Sequence, residues 1–194
     1  MISQKESSTR YKETNMRIRI AGTEFSIKNK SFEIYVQGCY RGCSGCHNPE
    51  TQPFEGGTSV DIHDYLKEQY DRTSLFPDLV QNVYISGGDL LCQNGSVAEE
   101  FSRELCNFWA DKYKWLFTGC DPNEVPEWVW DYYDIVKAGS YMAGLKQDAF
   151  PASSNQVLIF NSNPTAFVAG EMLDKFNSID FKGEKRWSNV RTKI

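Results

Sequence analysis

The stretch FEIYVQGCYRGCSGC, residues 32–46, joins two unlike patterns. Its first half is a β-branched and aromatic run closed by Gly38, the composition of a buried strand. Its second half holds Cys39, Cys43 and Cys46 in a C-x3-C-x2-C spacing, with no further cysteine cluster to complete a tetrahedral zinc site. Strands of similar composition recur outward from it, at NVYISGG (82–88), YKWLFTG (113–119), YDIVKAG (133–139) and NQVLIF (155–160). Helix-like segments lie between them. SVDIHDYLKEQYDR (59–72) opens with Ser59 as its expected N-cap, SVAEEFSRELCNFWADKY (96–113) puts Phe101, Leu105, Phe108 and Trp109 on one face, and PNEVPEWVWDYY (122–133) makes a shorter third.

This alternation predicts an α/β fold with mainly parallel strands, joined by right-handed crossovers into a layer or a partial (β/α) barrel. Ligands in such folds bind at the carboxyl ends of the strands. Four of those ends carry small residues: Gly38-Cys39, Gly87-Gly88-Asp89, Thr118-Gly119-Cys120 and Ala138-Gly139-Ser140. One glycine merely ends a strand; four in register with a cysteine cluster mark a site.

The chain has 194 residues, 40% of them hydrophobic, enough for one core without disulfides. Residues 1–15 are expected to be a polar N-terminal extension, and residues 16–194 one domain whose stretch 161–194 is a C-terminal extension. A net charge of -5 provides no global basic field, which argues against nucleic acid as a partner. The N-terminal stretch lacks the apolar core of a signal peptide, and no run approaches the roughly 20 apolar residues of a membrane span. A cytoplasmic protein is expected, with no membrane partner. In that reducing compartment six cysteines serve more readily as ligands, catalytic groups or buried apolar residues than as disulfides.

Three chemistries compete for Cys39, Cys43 and Cys46. A closed zinc site needs a fourth ligand, and His47, adjacent to Cys46, would be a strained one. A redox dithiol leaves one cysteine unused. An iron-sulfur cluster held by three thiolates keeps one iron open for a substrate or cofactor. Cys92, Cys106 and Cys120 read as buried or incidental thiols, His63 as a surface residue, and Asn155 and Gln156 as loop-satisfying amides.

GCYRGCSGCHNPET (38–51) resembles the cluster loop of radical S-adenosylmethionine enzymes, in particular the small activating enzymes of anaerobic ribonucleotide reductase. ISGGDLL (85–91), LFTGC (116–120) and SSNQV (153–157) resemble further elements of that family, in its order. Leu90, Cys120 and His47 stand where the family has Pro, Tyr and an aromatic residue. The resemblance implies a radical SAM-type partial (β/α) barrel, with a 4Fe-4S cluster on Cys39, Cys43 and Cys46 and S-adenosyl-L-methionine on its open iron. It implies cofactor contacts at Gly45, Cys46, His47, Gly87, Gly88, Asp89 and Thr118, the last at the third strand end. The activity implied is reductive cleavage to a 5'-deoxyadenosyl radical that makes a glycyl radical on anaerobic ribonucleoside-triphosphate reductase, with a flavodoxin-like or other low-potential electron donor. Two alternatives stand beside it: a compact radical SAM enzyme acting on a 7-deazapurine precursor, like 7-carboxy-7-deazaguanine synthase, and a noncatalytic metal-binding interaction module.

Overall fold

The computed structural model describes residues 16–148 and 150–161, and the backbone of a strand at 190–193. Residues 1–15, expected as a polar extension, lie outside the described residues, as do 162–189 of the expected C-terminal extension.

The strands foreseen at 32, 82, 113, 133 and 155 all form: β2 (Ser31–Val36), β4 (Asn82–Gly87), β5 (Tyr113–Phe117), β6 (Ile135–Ala138) and β7 (Val157–Asn161). Three more join them. β1 (Arg17–Ser26) pairs antiparallel with β2 across a turn in which Lys30 adopts φ 48°, and β3 (Thr58–Asp61) pairs antiparallel with the other edge of β1. β8 (Val190–Lys193) runs parallel to β7. Among the described residues one eight-stranded sheet results, in the order β3-β1-β2-β4-β5-β6-β7-β8. The expectation of mainly parallel strands holds at the centre, where β2, β4, β5 and β6 are mutually parallel. Around them β1, β3 and β7 are antiparallel to their inner neighbours, so the α/β sheet is mixed.

The first helix begins later than expected. Ser59 is not its N-cap, because Thr58 to Asp61 is drawn out as a strand that satisfies the free edge of β1. The cap is Asp61, whose carboxylate accepts from the Asp64 backbone N–H at 3.1 Å and starts α1 (Ile62–Thr73). α2 (Gly95–Phe108) starts from Asn94 in the same way. The expected third helix is only a five-residue 3-10 segment, Glu127–Asp131.

α1 and α2 pack on one face of the sheet. There Ile18, Ile34, Ile85, Leu116 and Val136 meet Leu66, Phe101, Leu105 and Trp109, and the helical face foreseen in α2 is the buried one. The opposite face carries a smaller cluster, Trp115, Ile135, Leu158 and Phe160, flanked by Tyr84, Phe117 and Phe150. Every strand of the parallel set points its carboxyl end the same way, which brings the four glycine-bearing ends to one rim. There Gly88 N–H donates to the Val36 carbonyl (2.8 Å), Asp89 N–H to Gly38 (3.0 Å) and Gly139 N–H to Cys120 (2.7 Å).

Candidate metal centre

The chain between β2 and β3 is pinned at its root and free to bulge in its middle. Gly38 and Cys39 N–H donate to the carbonyls of Thr51 and Gln52 (2.7 and 2.9 Å), tying the outgoing strand to the returning one-turn helix Pro49–Thr51. Between these ties the cysteines are carried round a turn in which Cys46 N–H donates to the Cys43 carbonyl at 3.2 Å. Cys39, Cys43 and Cys46 are half-buried, in no disulfide, and line one cleft of 190 Å³ at the strand-end rim.

Of the other residues singled out from sequence, His47, Gly87, Gly88, Asp89 and Thr118 also line this cleft. Gly45 does not; it is exposed at the edge, with φ 75° and the Tyr141 ring 3.4 Å from where its Cβ would be. The His47 and Tyr141 rings lie tilted against each other at 5.0 Å, so an aromatic wall stands beside Cys46. Gly88 has a different neighbour from the one its place suggests. A Cβ there would come within 2.5 Å of the Gly38 carbonyl oxygen, so its missing side chain makes room for the root of the cysteine loop.

Asp89 knits the rim together. It is 1% exposed. One carboxylate oxygen accepts from Leu91 N–H (2.9 Å), the other from Gly119 N–H (2.9 Å) and the Arg41 guanidinium, and the Thr118 hydroxyl donates between them at 2.9 Å. The ends of β4 and β5 and the cysteine loop that follows β2 therefore converge on one carboxylate. Burial works against the Arg41 charge, but its bond to Asp89 and that carboxylate's negative charge outweigh it and raise the guanidinium pKa. Thr118 is equally committed, since its oxygen also accepts from Cys120 N–H at 3.0 Å. Both residues line the cleft with their polar groups already committed to the rim.

Sequence reasoning missed Cys92. Its thiol and the Asp89 carboxylate gather around Cys39, with ligand atoms of all three within 4.8 Å of one another. By distance alone this trio would suit a single ion. Asp89 is excluded as a ligand because its oxygens already serve four residues. What remains is a thiol pair in which a hydrogen bond from Cys92 lowers the pKa of Cys39 to about 7, while the same contact and burial push Cys92 up. The signal was faint: Cys92 follows the Gly-Gly-Asp turn by three residues, on the one-turn helix Leu90–Cys92. Lys137 was also missed. It lines the cleft from β6, with the Phe117 ring 6.0 Å from its ammonium. Burial lowers its pKa to about 8, against the pull of Asp89, Cys43 and Cys46.

Residues 30–159, well over half of the chain, match the family described as "4Fe-4S single cluster domain". The chain belongs to this family. Over 60 residues it is also 35% identical to the pyruvate formate-lyase-activating enzyme of Clostridium pasteurianum, a match that spans 31% of this chain and 25% of that protein. For a 4Fe-4S single cluster domain the donor set is right: three unpaired thiols on one short loop, with Cys92 placed to donate a hydrogen bond to one of their sulfurs. Cys106, on α2, does not line the cleft. Cys120 is buried beneath the rim, and burial raises its pKa.

Proposed function

We propose that the chain is a radical SAM activating enzyme with a partial (β/α) barrel, and that it generates a glycyl radical on anaerobic ribonucleoside-triphosphate reductase. The observation that carries this reading is the meeting of three half-buried thiols with four glycine-bearing ends of parallel strands, in one cleft. Membership of a 4Fe-4S family supports the cluster, and the partial likeness to an activating enzyme supports the reaction class. When bound, the cluster and S-adenosyl-L-methionine supply a one-electron cleavage to methionine and a 5'-deoxyadenosyl radical, which takes a hydrogen atom from the partner's glycine.

The protein's own residues hold and orient. Cys39, Cys43 and Cys46 bind the cluster. Backbone at Gly87 and Gly88 and the His47–Tyr141 wall receive the cofactor, with Gly45 setting the curve of the loop edge, while Asp89 and Thr118 hold the strand ends in register. A cleft of 190 Å³ is smaller than the ~300–1,000 Å³ of sites that enclose a ligand of that size. Among the described residues the cleft is left open, which supports an enzyme whose substrate is a protein that completes the cavity. Among the described residues no helix is long and apolar enough to cross a membrane, and six free thiols suit the reducing cytoplasm, where a flavodoxin-like donor would deliver the electron.

The test begins with anaerobic reconstitution. Four irons and four sulfides per chain are expected, lost on changing Cys39, Cys43 or Cys46 to Ala and kept on changing Cys106 or Cys120. Reduced protein, S-adenosyl-L-methionine and the reductase should then give a doublet glycyl-radical resonance, with methionine and 5'-deoxyadenosine released. Stoichiometric zinc in place of iron and sulfide would sink the reading. A radical on pyruvate formate-lyase but not on the reductase would move the target to that enzyme. Cofactor cleavage stimulated by a 7-deazapurine precursor and by neither protein would give the site to a small molecule.

A further inference from the structure

Two lysines stand on neighbouring strands with opposite fates. Lys114, on β5, is fully buried and fully satisfied: its ammonium donates to the Lys112 carbonyl (2.7 Å) and lies 3.3 Å from the Asp134 carboxylate. Lys137, on β6, is half-buried at the cleft, and its ammonium has no hydrogen bond or ion pair among the described residues, only the Phe117 ring at 6.0 Å. A half-buried cation facing a concave site is ordinarily matched by an anion there. Among the described residues the carboxylate that acts on it is Asp89, which already serves Arg41, Thr118, Gly119 and Leu91. Lys137 shares the cleft with Cys39, Cys43 and Cys46, whose thiolates, when they hold a cluster, would supply the missing negative charge.

Strand geometry explains why the ammonium is there. Alternation along β6 sends Val136 and Ala138 to the helix-covered face, and Ile135 and Lys137 to the face of Trp115 and Phe117. Lys137 is the residue of that face nearest the strand's carboxyl end, so its stem runs over aromatic surface and its charge emerges beside the cysteine loop.

We infer that Lys137 is the counter-charge of the cluster held by Cys39, Cys43 and Cys46, and that it raises the cluster's reduction potential. This rests on the cluster assignment above. Three thiolates make the site anionic, and reduction adds one more negative charge. A fixed cation in a partly buried site stabilises the reduced form more than the oxidised one, which moves the potential upward and brings the cluster within reach of a cytoplasmic donor.

The experiment uses the reconstituted full chain and follows the reduced cluster's paramagnetic signal through a redox titration, without S-adenosyl-L-methionine. Lys137→Met and Lys137→Gln should keep wild-type iron and sulfide and titrate at a more negative midpoint; Lys137→Arg should return the midpoint toward wild type. An unchanged midpoint in both neutral variants overturns the inference. So does an unchanged midpoint combined with loss of the spectral change on adding S-adenosyl-L-methionine, which would make Lys137 an anchor for the cofactor's carboxylate. Should wild-type protein itself hold no iron and sulfide, the cluster assignment fails, and iron analysis shows that before any titration is run.

Discussion

A carboxylate that accepts from Arg41, Leu91, Thr118 and Gly119 while almost wholly removed from solvent cannot be exchanged for a smaller group without leaving several donors stranded. Breaking a buried pair by removing one partner typically costs about 3–5 kcal/mol. Asp89→Ala should therefore lower stability by roughly that much in chemical denaturation, and should also lower iron uptake, because Arg41 belongs to the cysteine loop. A variant of wild-type stability that takes up full iron would show that Asp89 does not organise the rim. Cys39 offers a second measurement at this scale. Its thiol pKa is lowered to about 7, first by the hydrogen bond from Cys92. The reactive form is the thiolate, so alkylation of Cys39 in iron-free protein should rise steeply as pH increases from 6 to about 8. Cys120, raised by burial, should lag behind it. Cys92→Ala removes the donor and should move the Cys39 profile to higher pH; mass mapping of the alkylated peptides reads both residues at once.

Elements were legible wherever one strand or helix carried its own signal. The five strands at 31, 82, 113, 135 and 157 announce themselves by β-branched and aromatic runs, and α2 by Phe101, Leu105 and Trp109 on one face. β1 carries a weaker signal: Ile18 and Ile20 alternate with Arg17 and Arg19, a half-buried strand whose outward residues make it look like polar leader. β3 had none of its own. It is four residues long, and Asp61 both ends it and caps α1, so strand and helix overlap in one stretch of sequence. The site was legible as a set of strand ends but not as contacts, since spacing cannot show that Cys92 turns back to Cys39 or that Gly88 lies under Gly38. That last contact changes what a mutation should do. Gly88→Ala puts a Cβ 2.5 Å from the Gly38 carbonyl oxygen, which is backbone and has little room to yield. It should destabilise by about 1–3 kcal/mol and reduce iron content together with the spectral response to S-adenosyl-L-methionine. Full iron with only the cofactor response lost would mean that the added Cβ meets the cofactor and not the Gly38 carbonyl.

At the scale of the molecule, both described helices cover one sheet face and the reactive rim is left to loops. A hydrogen-abstracting radical needs exclusion of solvent, and among the described residues a cleft of 190 Å³ does not provide it for cluster and cofactor together. On the reading proposed above, the substrate protein supplies the remaining wall. Met142 and Leu145, 49% and 42% exposed, stand on the segment that follows Tyr141 of the cleft lining, and Tyr40 is exposed on the cysteine loop. Apolar side chains at the rim of an unfinished cavity are where a partner's surface would seat. Charging that rim should separate the two halves of the reaction. The double variant Met142→Glu, Leu145→Glu should keep its iron and sulfide and its spectral response to S-adenosyl-L-methionine, because neither side chain lines the cleft. With the reductase present its glycyl-radical yield should fall by an order of magnitude or more, about what 1.4 kcal/mol or more of lost docking energy produces. Undiminished radical yield at limiting partner concentration would place the docking surface elsewhere on the rim, and parallel loss of the cofactor response would show that the segment after Tyr141 shapes the cofactor site itself.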